Sequence, residues 1–567
     1  MKVTDYIIDF IISKGVTDMF GYPGGVICHF IDSATKYPGQ INTHINYHEQ
    51  AAAFAACGYA QETSGIGVAF TTSGPGATNL VTGIANAYFD SIPVMFFTGQ
   101  VDTYGLKGDI PVRQRGFQET DVISMVSTIT KYAVRVDDPK RIKYELAKAY
   151  SIAISGNPGP VVIDLPADVQ RADINIDDCL EYSKDEADNT NYDAIIEQLQ
   201  SAICSSNRPC IIAGNGVKQS GCKEDFRQLV TALNIPCVFS LPAFDILSYD
   251  HPLNFGFIGA NGHRYANFVL GKSDLIITLG SRMDLKQVGN NRAEFVPDAK
   301  FIRVDIDEGN LSYKVHDDEI AIHANIIPLV KKWKYSVSSV VPKEWIDICN
   351  TLKKKLVGFD DESYTKLLCT FGKAIPDKTV ITADVGQSEL WVAQQIRIKE
   401  KQSAHMSAGH GTMGYSLPAA IGSYYGSRQT VFSFNGDGGV QMNIQELQYL
   451  DRERIPIKVV IMNNHALGMI RGFQEANFNK NYTQTIEGKG YSVPDFKKIA
   501  YAYNLDYLLV ESEDDIDDSV IQSNRPSIIE IKMPVETTLN PNFGRNGLIQ
   551  DQRPYISREL FDELMAL

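Results

Sequence analysis

Short apolar runs alternate with amphipathic stretches from one end of the chain to the other, a pattern that predicts parallel α/β layers. The runs PVVIDLP, PCIIAG, DLIITLG, FIRVDID, TVITAD, TVFSFNGD and IKVVIMNN read as strands. They fall into three blocks, residues 1–175, 190–335 and 345–567, each predicted to be a doubly wound α/β domain with a parallel sheet. The polar stretches Ser183 to Asp193 and Ser336 to Val341 read as linkers between them. The first and third blocks look like versions of one architecture. At the start, MKVTDYIIDFIISKG reads as an amphipathic helix with Thr4 as its cap, and it lacks the features of a signal peptide. Near the other end, PNFGRNGLIQDQRPYISREL mixes Gly, Pro and charge and reads as a mobile arm or lid.

Composition narrows the function. The 567 residues are 44% hydrophobic and 21% charged, an ordinary globular balance with a large core. A net charge of −15 argues against nucleic acid or an anionic membrane as partner. No apolar run reaches the roughly 18 residues of a membrane span. Nine scattered cysteines without a Cys-x-x-Cys pair read as reduced thiols, which points to the cytoplasm.

The segment TVFSFNGDGGVQMNIQELQYLDRERIPIKVVIMNN carries the most chemistry. It reads as strand, Gly-rich turn, helix and strand, with Asn443 and Glu446 as a capping pair and Ile444, Leu447 and Leu450 facing the sheet. A right-handed crossover places the two strand ends side by side. Asp437 and Asn464, 27 positions apart, then share one crevice at the carboxyl edge of the sheet. A carboxylate plus an amide oxygen suits Mg²⁺, which prefers few protein oxygens and several phosphate oxygens. Gly436, Gly438 and Gly439 let backbone N–H groups approach a diphosphate at a helix start.

Gly-Asp-Gly followed at this distance by Asn-Asn resembles the signature of thiamine-diphosphate enzymes. The resemblance implies a pyrimidine-binding first domain, a central domain and a diphosphate-binding third domain. It implies Asp437 and Asn464 as side-chain metal ligands and Ala466 as a backbone ligand. It also implies Glu49 of HEQAA as the carboxyl that exchanges a proton with the aminopyrimidine N1′. TTSGPGATNL resembles the coenzyme-side loop with Asn79, and VGQ places Gly386 and Gln387 beside the diphosphate. GHGTMGYSLPAA resembles the segment that bends the coenzyme, with Met413 as the wedge and the Gly411 carbonyl as acceptor. In that family the pyrimidine and diphosphate sides come from different subunits, which implies a homodimer at least, up to a tetramer.

FGYPGG, HEQAA, AYFDSIPVMFFTGQV, GFQETD, SGNPGPVVIDLP, GTMGYSLPAAIG and NNHALGMI occur in one order, and together they resemble acetohydroxyacid (acetolactate) synthases over nearly the whole chain. That resemblance implies decarboxylation of pyruvate and addition of the two-carbon unit to a second carbonyl, with Phe117 and Gln118 lining the reacting centre. It implies a structural, non-redox FAD in the middle block, with AGNGV as a βα turn, Arg282 on a flavin phosphate and Asp307 towards the adenosine. Met469, Lys286 and Phe473 would form the acceptor pocket.

Departures from the synthase pattern cluster on the acceptor and flavin side. Lys286 replaces an Arg that holds the second keto acid, and Phe473 replaces a Trp. Ala167 stands at a Lys, Asn157 at a flavin-associated Arg and Ser388 at a diphosphate-side His. A lysine keeps the charge but loses the planar fork. The chain is thereby also similar to synthase-like carboligases that build branched sugars of the yersiniose type, so the acceptor is either pyruvate or a ketone such as a nucleotide keto-sugar. The rival readings are a flavin-dependent pyruvate oxidase and a non-catalytic binding subunit.

Overall fold

In the computed structural model, residues 1–183, 188–337, 341–543 and 547–567 are described, so both predicted linkers lie partly outside the described residues, as does part of the C-terminal segment. Three six-stranded sheets organise the chain, and every pairing between their named strands is parallel. The fold is α/β with three doubly wound sheets. Counted from its own first strand, the first sheet runs in the order 2-1-3-4-6-5, and so does the third. The central sheet runs 3-2-1-4-5-6, the dinucleotide-binding order. The likeness of the first and third blocks is therefore one of topology.

Two hydrophobic cores hold the three sheets together. Strand residues of the third sheet alternate between them, as the period of two requires. Phe432, Phe434, Val460 and Ile529 join the central domain's core. Val431, Val459, Ile461 and Ile528 join the first domain's. Between the first and third domains the helices Glu49–Thr63 and Ser416–Ser427 touch backbone to backbone. A methyl on Gly58 would run into the Ala419 carbonyl, and one on Gly422 into the Ala55 carbonyl, so only glycine permits this crossing. All three domains meet at buried charge. Asp245 is held by Lys218 and Lys223, each at 3.1 Å, and by the Ala404 N–H, while Glu62 takes His405 at 2.7 Å and Ser403 at 2.8 Å.

Three local expectations are corrected. Thr4 does not cap the first helix, Val3–Ser13; it is buried and its hydroxyl donates to the Gln170 carbonyl at 3.2 Å. Asn443 and Glu446 do not cap each other. The backbone breaks at Asn443 (φ −132°), and Glu446 points across to the first domain. The C-terminal segment is docked wherever it is described. Gln550, Asp551 and Gln552 are buried, Arg264 donates to the carbonyls of Gln552 and Pro554, and the helix Arg558–Ala566 inserts Leu564 into the core. Apolar side chains and carbonyl-seeking amides make it a clamp rather than an arm. The nine cysteines are all free, and no helix among the described residues is long and apolar enough to cross a membrane.

Candidate active site

The strand Thr430–Gly436 delivers Asp437 to the carboxyl edge of the third sheet, and its parallel neighbour Ile457–Asn463 delivers Asn464. Both side chains are buried. Their oxygens converge on one backbone donor: the Ala466 N–H lies 3.3 Å from Asp437 Oδ2 and 3.2 Å from Asn464 Oδ1. Asn464 is oriented from behind, since its Nδ2 donates to Gln387 Oε1 at 3.1 Å and to Thr537 Oγ1 at 2.8 Å. The amide oxygen is thus left towards the crevice. Burial pushes the Asp437 carboxyl above its usual range, against the Tyr491 hydroxyl, which donates to Oδ1 at 2.6 Å.

Glycines form the floor. Gly386, with φ +115°, starts the helix Gln387–Gln395 beside Gly436, and Gly411 takes φ +68°. A Cβ at Gly386 would meet only Met469, at 3.9 Å, and one at Gly436 only Ser388, at 3.9 Å, so both leave open space that a side chain would fill. Among the described residues no group of three or more His, Cys, Asp or Glu is placed to hold a metal ion. Two side-chain oxygens beside a glycine floor are the donor set for a hard cation that completes its shell with phosphate. The residues present therefore fit a magnesium diphosphate. Asp384, at the end of the neighbouring strand, accepts the N–H groups of Gly414 and Tyr415, each at 3.0 Å, and so anchors the segment carrying Gly411 and half-buried Met413. Burial raises Asp384 to about 7.

On the first domain, His48 caps the helix Glu49–Thr63 by accepting the Gln50 N–H, and Glu49 opens its first turn. Asn79, on the helix Pro75–Phe89, donates to Glu49 Oε2 at 2.9 Å. Gln118 lies against Gly74 with φ +64°, so the GFQE loop closes on the same corner. Phe117 beside it is 85% exposed. Glu446 reaches this corner from the third domain, accepting the Tyr47 N–H at 2.7 Å and the Asn46 amide at 3.0 Å. Burial raises it to about 7. Among the described residues no hydrogen bond joins Glu49 or Asn79 to Asp437, Asn464 or Ala466.

A cavity of about 620 Å³, within the size range of cofactor pockets, opens at the reversal point of the central sheet. Its wall includes Asn215 and Gly216 after one strand and Gly280, Ser281 and Arg282 after its neighbour. Lys286 and Met469 line it too, whereas Phe473 lies outside, exposed and edge-on to Phe478. Asp307 is also off the wall. It caps the helix Glu308–Ser312 and accepts from Asn157 at 2.9 Å, and Asp305 takes the wall position instead. Ser240, Asp90 and Glu389 each present a buried, unpartnered oxygen among the residues of this wall.

Sequence reading missed Asp384, Glu446, Tyr491, Thr537 and Glu389. Asp384 alone carried a local signal, an acid closing the run TVITAD just before VGQ.

A doubly wound sheet that gathers an Asp, an Asn and a glycine floor at its carboxyl edge, in a chain whose first domain holds a glutamate by an asparagine, defines a thiamine-diphosphate enzyme. The comparisons agree. The chain matches the N-terminal TPP binding domain of thiamine pyrophosphate enzymes over residues 1–125, their central domain over 196–332 and their C-terminal TPP binding domain over 384–531. It is 34% identical to the probable acetolactate synthase large subunit of Methanocaldococcus jannaschii, over 100% of this chain and 98% of that one. It is 32% identical to the acetolactate synthase isozyme 2 large subunit of Escherichia coli, over 94% and 96%. Against the acetolactate synthase large subunit of Lactococcus lactis the identity is 34%, over 91% and 90%. The chain belongs to the acetolactate synthase large-subunit family of thiamine-diphosphate enzymes, which form carbon–carbon bonds.

Proposed function

We propose that the chain is a magnesium-dependent carboligase that decarboxylates pyruvate and adds the two-carbon unit to a second carbonyl compound, with FAD as a structural group. The observation that carries the reading is the convergence of Asp437 Oδ2 and Asn464 Oδ1 on the Ala466 N–H above a glycine floor. Thiamine diphosphate, when bound, would supply the nucleophilic carbon needed for decarboxylation of a 2-keto acid. Glu49 exchanges a proton with the pyrimidine N1′, and Asn79 fixes its carboxylate. Asp437 and Asn464 would hold the cation, and Gln387 and Thr537 fix the asparagine's orientation. Gln118 and Phe117 border the reacting centre. Exposed Phe117 in the GFQE loop supports a homodimer in which each site draws on two copies.

Two features of the central cavity support FAD: the wall glycines Gly216 and Gly280 carry no side chain at the strand-order reversal, and the enclosed Ser240 hydroxyl offers an unused hydrogen bond. Arg282 borders this space, although its guanidinium also donates to the Phe89 carbonyl at 2.8 Å. The acceptor is either pyruvate or a bulkier ketone such as a nucleotide keto-sugar. The single ammonium of Lys286 and the exposed ring of Phe473 favour the ketone.

Purified protein incubated with pyruvate and a panel of keto acids, ketones and nucleotide keto-sugars should yield carbon–carbon adducts by mass. It should be yellow, and anaerobic pyruvate should leave the flavin oxidised on the time scale of turnover. Bleaching at the turnover rate would make it an oxidase. Absence of any adduct would sink the carboligase reading.

A further inference from the structure

Glu389 has no part in the coenzyme chemistry described above. It sits in the first turn of the helix Gln387–Gln395, is 3% exposed, and makes no hydrogen bond or ion pair among the described residues. Its Oε1 is fully enclosed and unpartnered. The side chain is on the wall of the central cavity together with Lys286 and Met469, and Met469 adjoins Gly386 of the coenzyme floor. This end of the cavity therefore borders the place where pyruvate reacts.

Lys286 acts on Glu389 electrostatically, yet no ion pair joins them, and the Lys286 ammonium has no acceptor among the described residues. A cation and a carboxyl thus face one space without satisfying each other. Leaving a buried carboxyl unpaired is costly, so the arrangement calls for a ligand with both a donor and an acceptor. An ionised 2-keto acid brings acceptors only. A hydroxyl beside a carbonyl brings both. Burial raises Glu389 to about 8 although Lys286 opposes it, and a hydroxyl serves the carboxyl in either protonation state.

We propose that Glu389 and Lys286 form a subsite for a hydroxylated ketone or aldehyde acceptor, the hydroxyl bonded to Glu389 and a neighbouring oxygen to Lys286. The inference rests on the carboligase reading and adds the residues that would select an acceptor by its hydroxyl. In the reaction C1 of pyruvate leaves as carbon dioxide. C2 bonds to the acceptor's carbonyl carbon, and that carbonyl oxygen takes up a proton. No oxidant or reductant is consumed.

The test is a competition in which holoenzyme and pyruvate meet equal amounts of 1,3-dihydroxyacetone, 2-butanone and 2-ketobutyrate, with adducts counted by mass. The wild type should favour the dihydroxyacetone adduct over both others. Glu389→Leu should lower the dihydroxyacetone-to-ketobutyrate ratio by about tenfold or more, the scale of a lost bond to a buried charged or polar group, and Glu389→Gln should restore most of it. A product ratio does not depend on how much of a variant folds. A ratio changed less than about twofold in Glu389→Leu, with adducts still forming, overturns the subsite and leaves the carboligase reading standing. Loss of flavin in Glu389→Leu with an unchanged ratio also overturns it and assigns the carboxyl to the flavin. Acetaldehyde or acetate as the only wild-type products overturns both readings together.

Discussion

The coenzyme crevice and the acceptor end of the central cavity lie on either side of Gly386 but are built differently. In the crevice each functional side chain is held by another: Asn464 by Gln387 and Thr537, Glu49 by Asn79, the Gly411–Met413 segment by Asp384. At the acceptor end Lys286 and Glu389 have no partner among the described residues, and Phe473, outside the cavity, is 58% exposed. A held side chain cannot be exchanged without stranding its partner, whereas an unpaired one can. Two departures from the synthase pattern follow this division, whereas Ser388, which donates to the Asp384 carbonyl, and Asn157, which donates to Asp307, do not. Lys286 and Phe473 have changed, and Glu49, Asp437 and Asn464 have not.

Substitutions should separate the two regions by the size of their effects. Glu49→Gln should cut turnover about 10²- to 10⁴-fold, because an amide cannot relay the N1′ proton, while calorimetry shows coenzyme binding nearly intact. Near-normal turnover would remove Glu49 from the chemistry. Asp437→Ala should weaken Mg²⁺-dependent coenzyme binding by about a hundredfold or more, beyond the 10–100-fold typical of a ligand's supporting partner. Unchanged affinity would place the metal elsewhere.

A third measurement concerns the cross-domain support. Glu446 is raised to about 7 in the folded chain from an ordinary 4.5, so the unfolded chain releases this proton first as pH rises. The contribution is present below about 4.5 and is lost as pH climbs through 7, on the order of 3 kcal/mol. Thermal melts of Glu446→Gln should therefore fall less between pH 5 and 8 than wild-type melts. Parallel curves would show that the carboxyl is ionised throughout. The smallest effect belongs to the acceptor end. Lys286→Arg with Phe473→Trp should shift product partition towards 2-ketobutyrate by about tenfold, about 1–3 kcal/mol, as mixed-acceptor competition would show. A loss as large as that of Glu49→Gln would erase the distinction between the regions.

What could be read from the sequence has a physical boundary. Asp437 and Asn464 were legible because one crossover of 27 residues joins them, and adjacent parallel strands leave little choice about where their ends lie. Three blocks were legible because strands buried on both faces are continuous apolar runs. Glu446 was misread because Asn443 stands at capping distance in sequence, while its true partners, Asn46 and Tyr47, are 400 and 399 residues away. The C-terminal segment was misread for a similar reason. Its Gly, Pro and charge signal looseness, but Arg264 and the carbonyls of Gly259, Ala260 and Gly262 that receive it belong to another domain. Glu389 gave no signal, since an acid in the first turn of a helix is ordinary until its surroundings are known.

The alternation of the third sheet between two cores bears on how the chain comes apart. Val431 and Phe432 are sequence neighbours on opposite faces: Phe432 packs on Phe371 in the core that runs on into the central domain, and Val431 lies in the core that runs on into the first. Removing the first domain would bare the helix face around Ala419 and Gly422 that packs on Ala55 and Gly58, so the third domain left behind is not a self-sufficient folding unit. The three domains are units of topology but not of denaturation. Heat should melt the chain in one concerted step, and a protease that nicks it between domains should release no fragment that survives alone.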